Sequence, residues 1–293
     1  MRIRRRLIRA ATLGAAAVLA IGAAPASATP RPSQPAGRAS AANSAAARAA
    51  LPALRRLVHG SPGRPAGPPH SRGAGAPTQV AYYNWAGYAD DNSTGRTYTY
   101  VSGKWSQPAL SCPTMEYQIA VFWVGLDGFN NSTVEQSGTF AECYLGSAYY
   151  YTWWEMYPTN DIQIVGTAKP ADAVTATVRY ASGKYTLVLT DATTSAASFS
   201  VVETCASNLT CARASAEWIA ETPGTARGYV PLPDFHTWKL QSAHVYSGAT
   251  HGVISTFPDD QITMVSTAPY DLASTSALNV AGNAFTVTWQ NSY

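Results

Sequence analysis

Gln136 and Glu221 are the residues whose types could carry chemistry here: a carboxamide in Gln136-Ser-Gly138 and a carboxylate closing Ala216-Glu-Trp-Ile-Ala-Glu221. A carboxylate can take a proton from water and hand it back, and a carboxamide N–H can donate to a developing oxyanion. Together they suffice to hydrolyse an amide. Two further carboxylates stand near tryptophan. Asp127 follows the apolar run Ile119–Val124 in Trp123-Val-Gly-Leu-Asp127-Gly, and Glu155 lies in Trp153-Trp-Glu155-Met-Tyr157-Pro. Any one of them alone reads as an exposed strand carboxylate. Several, each beside tryptophan, predict an aromatic-walled cleft with a few polar groups, which is how ligand sites are built.

Other chemistries lack their residues. After residue 78 the histidines are His236, His244 and His251, with no H-E-x-x-H and no close pair, so no catalytic metal is expected. G-x-S-x-G is absent, and Ser137 has no nucleophile-elbow context. A Ser-His-Asp triad stays open, since its members can lie far apart in sequence. No D-T-G-like aspartate motif and no glycine-rich phosphate loop occurs, and no cofactor is expected.

Taken in order, these segments resemble the glutamic peptidases, the eqolisin family: Trp-Val-Gly-Leu-Asp-Gly from Trp123, then Gln136-Ser-Gly138, the Trp153–Pro158 block and Ala216–Glu221. Asn84-Trp85-Ala-Gly87 is similar to the family's opening. The resemblance spans roughly residues 82–293. It implies a catalytic Gln136 and Glu221, with substrate-binding positions at Trp85, Trp123, Asp127, Gly138, Trp153, Glu155 and Tyr157. It also implies an endopeptidase in which ionised Glu221 draws a proton from water while Gln136 steadies the oxyanion. Glu221 then returns the proton to the leaving nitrogen, with neither metal nor covalent intermediate. One departure is Phe140, where fungal members often carry an Asp; it bears on the hydrogen bonding behind Gln136 and on the pH optimum.

The elements that must position these residues read as strands. Val174–Tyr180 and Tyr185–Thr190 alternate on either side of Ala181-Ser-Gly-Lys184, a hairpin signal. Phe285–Trp289 has period two, and Glu217, Ile219 and Glu221 would share one face of a strand. No long helical repeat appears after Val80. The expected fold is all-β, a β-sandwich of two antiparallel sheets (jelly-roll or concanavalin-like), formed by one domain over residues 79–293.

Charge divides the chain. Residues 1–78 carry 12 Lys and Arg and no acidic residue, whereas residues 79–293 carry 8 and all 17 acidic residues. Arg2, Arg4, Arg5, Arg6 and Arg9, the apolar Ala10–Ala24 and Ala26-Ser-Ala28 read as a signal peptide over 1–28, so the protein is expected to be secreted. The apolar stretch is too short for a membrane span, and no stable membrane association is expected. Residues 29–78 are too poor in bulky apolar residues to build a core. They read as a disordered linker or, better, as a basic pro-segment lying over an acidic cleft and inhibiting it. Without interleaved aromatics this arm is not expected to bind nucleic acid. The expected partners are polypeptide substrates and the chain's own pro-segment, with the protein a monomer.

In an exported chain, Cys112, Cys143, Cys205 and Cys211 read as two disulfides, for which sequence allows three connectivities. The short interval from Cys205 to Cys211 suits a local staple, leaving Cys112 with Cys143. Two other readings of the aromatic cleft stay open: a carbohydrate-binding or glycan-cleaving β-sandwich using Glu155 and Glu221, and a non-catalytic binding domain. Gln136 separates them from a peptidase, because neither needs it.

Overall fold

Among the described residues, the alternating segments become strands, with only two short 3-10 turns, Ser195–Ala197 and Ile254–Thr256, besides them. The computed structural model describes residues 58–68, 77–91, 95–268 and 270–293. The expected signal peptide and much of the expected pro-segment lie outside the described residues. β1 (Thr78–Tyr82) and β2 (Trp85–Asp90) lead to β3 (Tyr98–Ser106), β4 (Gln118–Leu126), β5 (Val134–Tyr144), β6 (Ser147–Tyr157) and β7 (Gln163–Thr167). Then come β8 (Ala173–Ala181), β9 (Lys184–Asp191), β10 (Phe199–Glu203) and β11 (Ala216–Glu221). The short β12 (Gly224–Thr225) and β13 (Gly228–Tyr229) precede β14 (Thr237–Ser247), β15 (Thr250–Gly252), β16 (Asp259–Val265), β17 (Asp271–Thr275) and β18 (Phe285–Trp289).

The β8–β9 hairpin forms where the sequence places it. Ala181 pairs with Lys184, and Ser182 and Gly183 turn the chain with φ of 50° and 78°. Positive φ at both central residues matches the twist of the strands they join.

Two separate antiparallel sheets were expected; the strands instead form one hydrogen-bonded path, β10-β9-β8-β3-β14-β18-β17-β16-β2-β11-β4-β5-β6-β7, with β12 and β13 as a small pair apart. β14 makes the continuity. Its residues 237–240 pair with β18 and its residues 241–247 with β3, and the register shifts between Gln241 and His244. Ser242, at φ 51°, absorbs the bend, so one bulged strand serves both halves of the sheet. The pairing is antiparallel except that β1 runs parallel to β16.

The folded-over path encloses the main core, in which Phe122, Trp218, Trp238 and Leu240 pack with Val178, Leu187 and Leu189. Alternate residues of β2, β4, β5, β6 and β11 face the other way and form a second cluster: Trp85, Trp123, Phe140, Trp153 and Ile219, joined by Val58. β4 is therefore buried along its whole length, which is why Ile119–Val124 reads as a continuous apolar run rather than an alternating one. Cys112–Cys143 and Cys205–Cys211 are bonded, with Cα–Cα distances of 5.5 and 6.0 Å.

Candidate active site

Five neighbouring strands, in the order β2-β11-β4-β5-β6, carry the cluster that contains the candidate residues. Register fixes who faces whom. Glu221 lies between Trp85 and Val121. One row runs Ile219–Trp123–Gly138–Trp153, and the next runs Gly125–Gln136–Glu155. Two glycines make these rows fit. A Cβ at Gly138 would lie 2.8 Å from that of Trp123, and a Cβ at Gly125 would lie 2.8 Å from the Trp123 ring. Trp123 can then lean towards Glu221, and its Nε1 donates to Glu221 Oε2 at 2.9 Å.

Gln136, Glu155 and Glu221 are all fully buried. Gln136 Nε2 donates to Glu155 Oε2 at 2.8 Å. Burial and the nearby Glu221 charge hold the Glu155 carboxyl well above the usual carboxylate range. A neutral Glu155 can fix the Gln136 amide without adding a second negative charge to the site. Burial pushes Glu221 up to about 8, against the pull of the hydrogen bonds from Trp123 and Ser61. Both carboxyls are therefore poised by a dry, aromatic setting, as functional groups commonly are.

Residues 58–68 run through this site. His59 and Gly224 exchange backbone hydrogen bonds of 3.2 and 3.1 Å. Ser61 N donates to Glu221 Oε1 at 3.2 Å, and its hydroxyl approaches the same oxygen at 3.4 Å. Gly60 lies so close to Glu155 Oε2 and Gln136 Nε2 that a Cβ there would collide with both. Beyond Ser61, Asn84 Nδ2 donates to Pro62 O at 3.1 Å and Asn84 Oδ1 accepts from Arg64 N at 2.9 Å. Gly63 N donates to Gly128 O at 2.9 Å, and Tyr83 N to Arg64 O at 2.9 Å.

A profile of the Peptidase A4 family matches residues 83–289, which include every one of these strand residues. The chain belongs to the Peptidase A4 family. It is a hydrolase of the glutamic-peptidase type, as the order of its segments implies. Among solved structures, it resembles scytalido-glutamic peptidase bound to a peptide-based transition-state analogue, with TM-score 0.60 and 21% identity over 71% of this chain and 98% of that one. It also resembles SCP-B, a member of the eqolisin family solved with the tripeptide Ala-Ile-His, with TM-score 0.58 and 20% identity over the same shares. Aspergilloglutamic peptidase from Aspergillus niger gives TM-score 0.50 and 26% identity over 59% of this chain and 99% of that one. No curated protein matches the chain.

Within this Peptidase A4 chain, most of the residues singled out by sequence come together. Trp85, Trp123, Gly138, Trp153 and Glu155 share the face that carries Gln136 and Glu221. Tyr157 lies further along the same strand, its ring 5.9 Å from that of His59. Asp127 is different. Its oxygens accept from Asn131 Nδ2 and Ala214 N at 2.6 Å and from Arg213 N at 2.7 Å. It sits in a left-handed turn with φ 68°. Asp127 pins the loop after β4 to the approach of β11. Glu217 is fully buried two rungs from Glu221, and burial raises its carboxyl well above the usual range.

Sequence reading gave no role to Asn84 or Gly224, although Asn84 stands directly before Trp85. A short amide side chain beside a strand tryptophan is a weak signal. Its meaning appears only when a peptide backbone lies against it. Phe140, which replaces the expected Asp, packs into the second cluster, so the support behind Gln136 comes from Glu155. Among the described residues, no group of three His, Cys, Asp or Glu could hold a metal ion, and no helix is long and apolar enough to cross a membrane.

Proposed function

We propose that the chain is a secreted, acid-acting endopeptidase in which Gln136 and Glu221 activate water directly. Glu221 takes the water's proton as base, the Gln136 amide donates to the oxyanion, and protonated Glu221 delivers its proton to the leaving nitrogen. The observation that carries this reading is that both side chains border one stretch of backbone, Gly60–Ser61. Gln136 Nε2 lies against Gly60, and Glu221 Oε1 accepts the N–H of Ser61. An acid-base group beside the amide nitrogen and an amide donor on the acyl side are what hydrolysis requires. Glu155 supports the pair by holding the amide donor.

A polypeptide substrate suits the cleft better than a glycan, because His59, Pro62, Gly63 and Arg64 are held there through backbone hydrogen bonds. Burial raises the Glu221 carboxyl while residues 58–68 lie against it. Admitting water lowers it towards the ordinary carboxylate value of about 4, where both its forms serve. The basic pro-segment acts as an inhibitor until it is displaced.

The test is digestion of denatured casein by the purified protein at about pH 4, with products read by mass spectrometry. The proposal expects internal cleavages that persist with pepstatin and with EDTA. Loss of all activity in EDTA, or release of sugars in place of peptides, would overturn it.

A further inference from the structure

Residues 58–66 meet the candidate site as a polypeptide would. They come from the stretch ahead of the strands, and Val58 is buried in the same aromatic cluster as Trp123 and Trp153. On one side of the Gly60–Ser61 peptide, His59 forms a bridge with Gly224. On the other, Asn84 grips Pro62 O and Arg64 N, imitating the backbone of a neighbouring strand. Pro65 pairs with Tyr82, and Ala66 N donates to Ala81 O at 2.7 Å. This is strand addition, in which main-chain hydrogen bonds give affinity and register.

The seated peptide is nevertheless turned away from reaction. The Gly60 carbonyl oxygen lies 3.1 Å from His59 Nδ1, while the Gln136 amide that would steady an oxyanion donates to Glu155. Ser61 contributes both its N–H and its hydroxyl to Glu221 Oε1, the oxygen a nucleophilic water would have to share. Glycine at position 60 suits the arrangement, because a Cβ there would press on Glu155 Oε2 and Gln136 Nε2, the two buried groups that are hydrogen-bonded to each other.

We infer that residues 58–66 are a tethered inhibitor of this chain's own active site, registered by Asn84 and Gly224 and seated non-productively because residue 60 is glycine. The inference rests on reading Gln136 and Glu221 as the catalytic pair. It also identifies Asn84 and Gly224 as the groups that hold the backbone of an incoming substrate on the two sides of the scissile bond. Among the described residues, the inhibitory contact is made by the Gly60–Ser61 backbone and the Ser61 hydroxyl.

The full chain, as wild type, Gly60→Val and Ser61→Pro, tests this by two readouts. Hydrogen exchange followed by mass spectrometry should show the amides of 59–66 protected in the wild type and fast in Gly60→Val. Ser61→Pro, which lacks the N–H that reaches Glu221, should behave likewise. Cleavage of a quenched peptide at about pH 4 should begin at once in both variants and at least about tenfold more slowly in the wild type, because only the open fraction is competent. Both substitutions precede β1, and matching thermal melts establish that the strands remain folded. Amides 59–66 that exchange as fast in the wild type as in the variants would overturn the inhibitor. So would equal initial rates in all three chains. If 59–66 are protected yet no form of the chain ever cuts a peptide, the peptidase reading fails instead.

Discussion

Glu221, the proposed acid-base group, sits among three neighbours that shape its setting. Trp123 gives Oε2 a hydrogen bond of 2.9 Å, Glu155 holds the amide of Gln136, and Gly138 leaves the space that lets Trp123 and Trp153 close on the row. The indole bond favours the ionised carboxylate, so it lowers the pKa that burial raises. Trp123→Phe should therefore move the acidic limb of the kcat/KM profile to higher pH, since the base then holds its proton longer. A limb that stays in place or moves to lower pH would show that this bond does not tune the base. The sequence singles out Gln136, Glu155 and Glu221 because each lies in a strand segment with a recognisable neighbour pattern, and the structure brings the three to one buried face. Asp127, singled out in the same way, stands apart from them: it turns back with φ 68° and accepts from the backbone N–H groups of Ala214 and Arg213. Nothing in a linear pattern reports a left-handed turn at an aspartate.

The strands themselves were largely visible. β4, β11 and β18 lie where apolar runs or alternation predict, and Ser182-Gly183 forms the hairpin turn. The continuity of the sheet was not visible, because it depends on β14 changing partners at a bulge near Ser242, and register between distant strands leaves no local mark. The disulfides act at this same scale. Cys143 ends β5 and Cys112 precedes β4, so their bond closes a loop of sequence separation 31, against 6 for Cys205–Cys211. By loop entropy the first is worth about 3–4 kcal/mol and the second about 2 kcal/mol. Cys112→Ser should then lower stability in urea more than Cys205→Ser does. The reverse order would show that the local staple is holding structure that loop closure does not describe.

At the scale of the whole molecule, several carboxyl groups among the described residues are buried. Both oxygens of Asp90 lack a hydrogen-bond partner, and burial raises Asp90, Glu135, Glu155 and Glu217 well above the ordinary range. Burial also raises Glu221 to about 8, Asp260 to about 7 and Asp259 to about 6. A carboxyl whose pKa is higher folded than unfolded binds its proton more tightly in the fold. Its stabilisation is complete below the unfolded value of about 4 and is lost as pH rises through the folded value. The melting temperature should therefore rise as pH falls from about 8 to about 4. A melting temperature that falls over that interval would mean these groups stay ionised in the fold. The sequence showed only the contrast between a basic leader and an acidic body. It points to electrostatic attraction between the two; among the described residues, Ser61 meets Glu221 through its N–H and hydroxyl, and Gly60 lies against the Gln136–Glu155 pair. Composition carries sign and amount of charge but not which atoms meet.

The most direct measurement for the whole account is the rate of peptide hydrolysis by Glu221→Gln beside Glu217→Gln, each verified as folded by circular dichroism and assayed at about pH 4. Both substitutions remove a buried carboxyl from the same face of the same strand, but only Glu221 meets the peptide unit held against Gln136. The account predicts a loss of about a thousandfold for Glu221→Gln, as expected for deleting the acid-base group, and a loss within about fivefold for Glu217→Gln. A Glu221→Gln chain that keeps more than about a twentieth of the wild-type rate, or a Glu217→Gln chain that is the inactive one of the two, would contradict it.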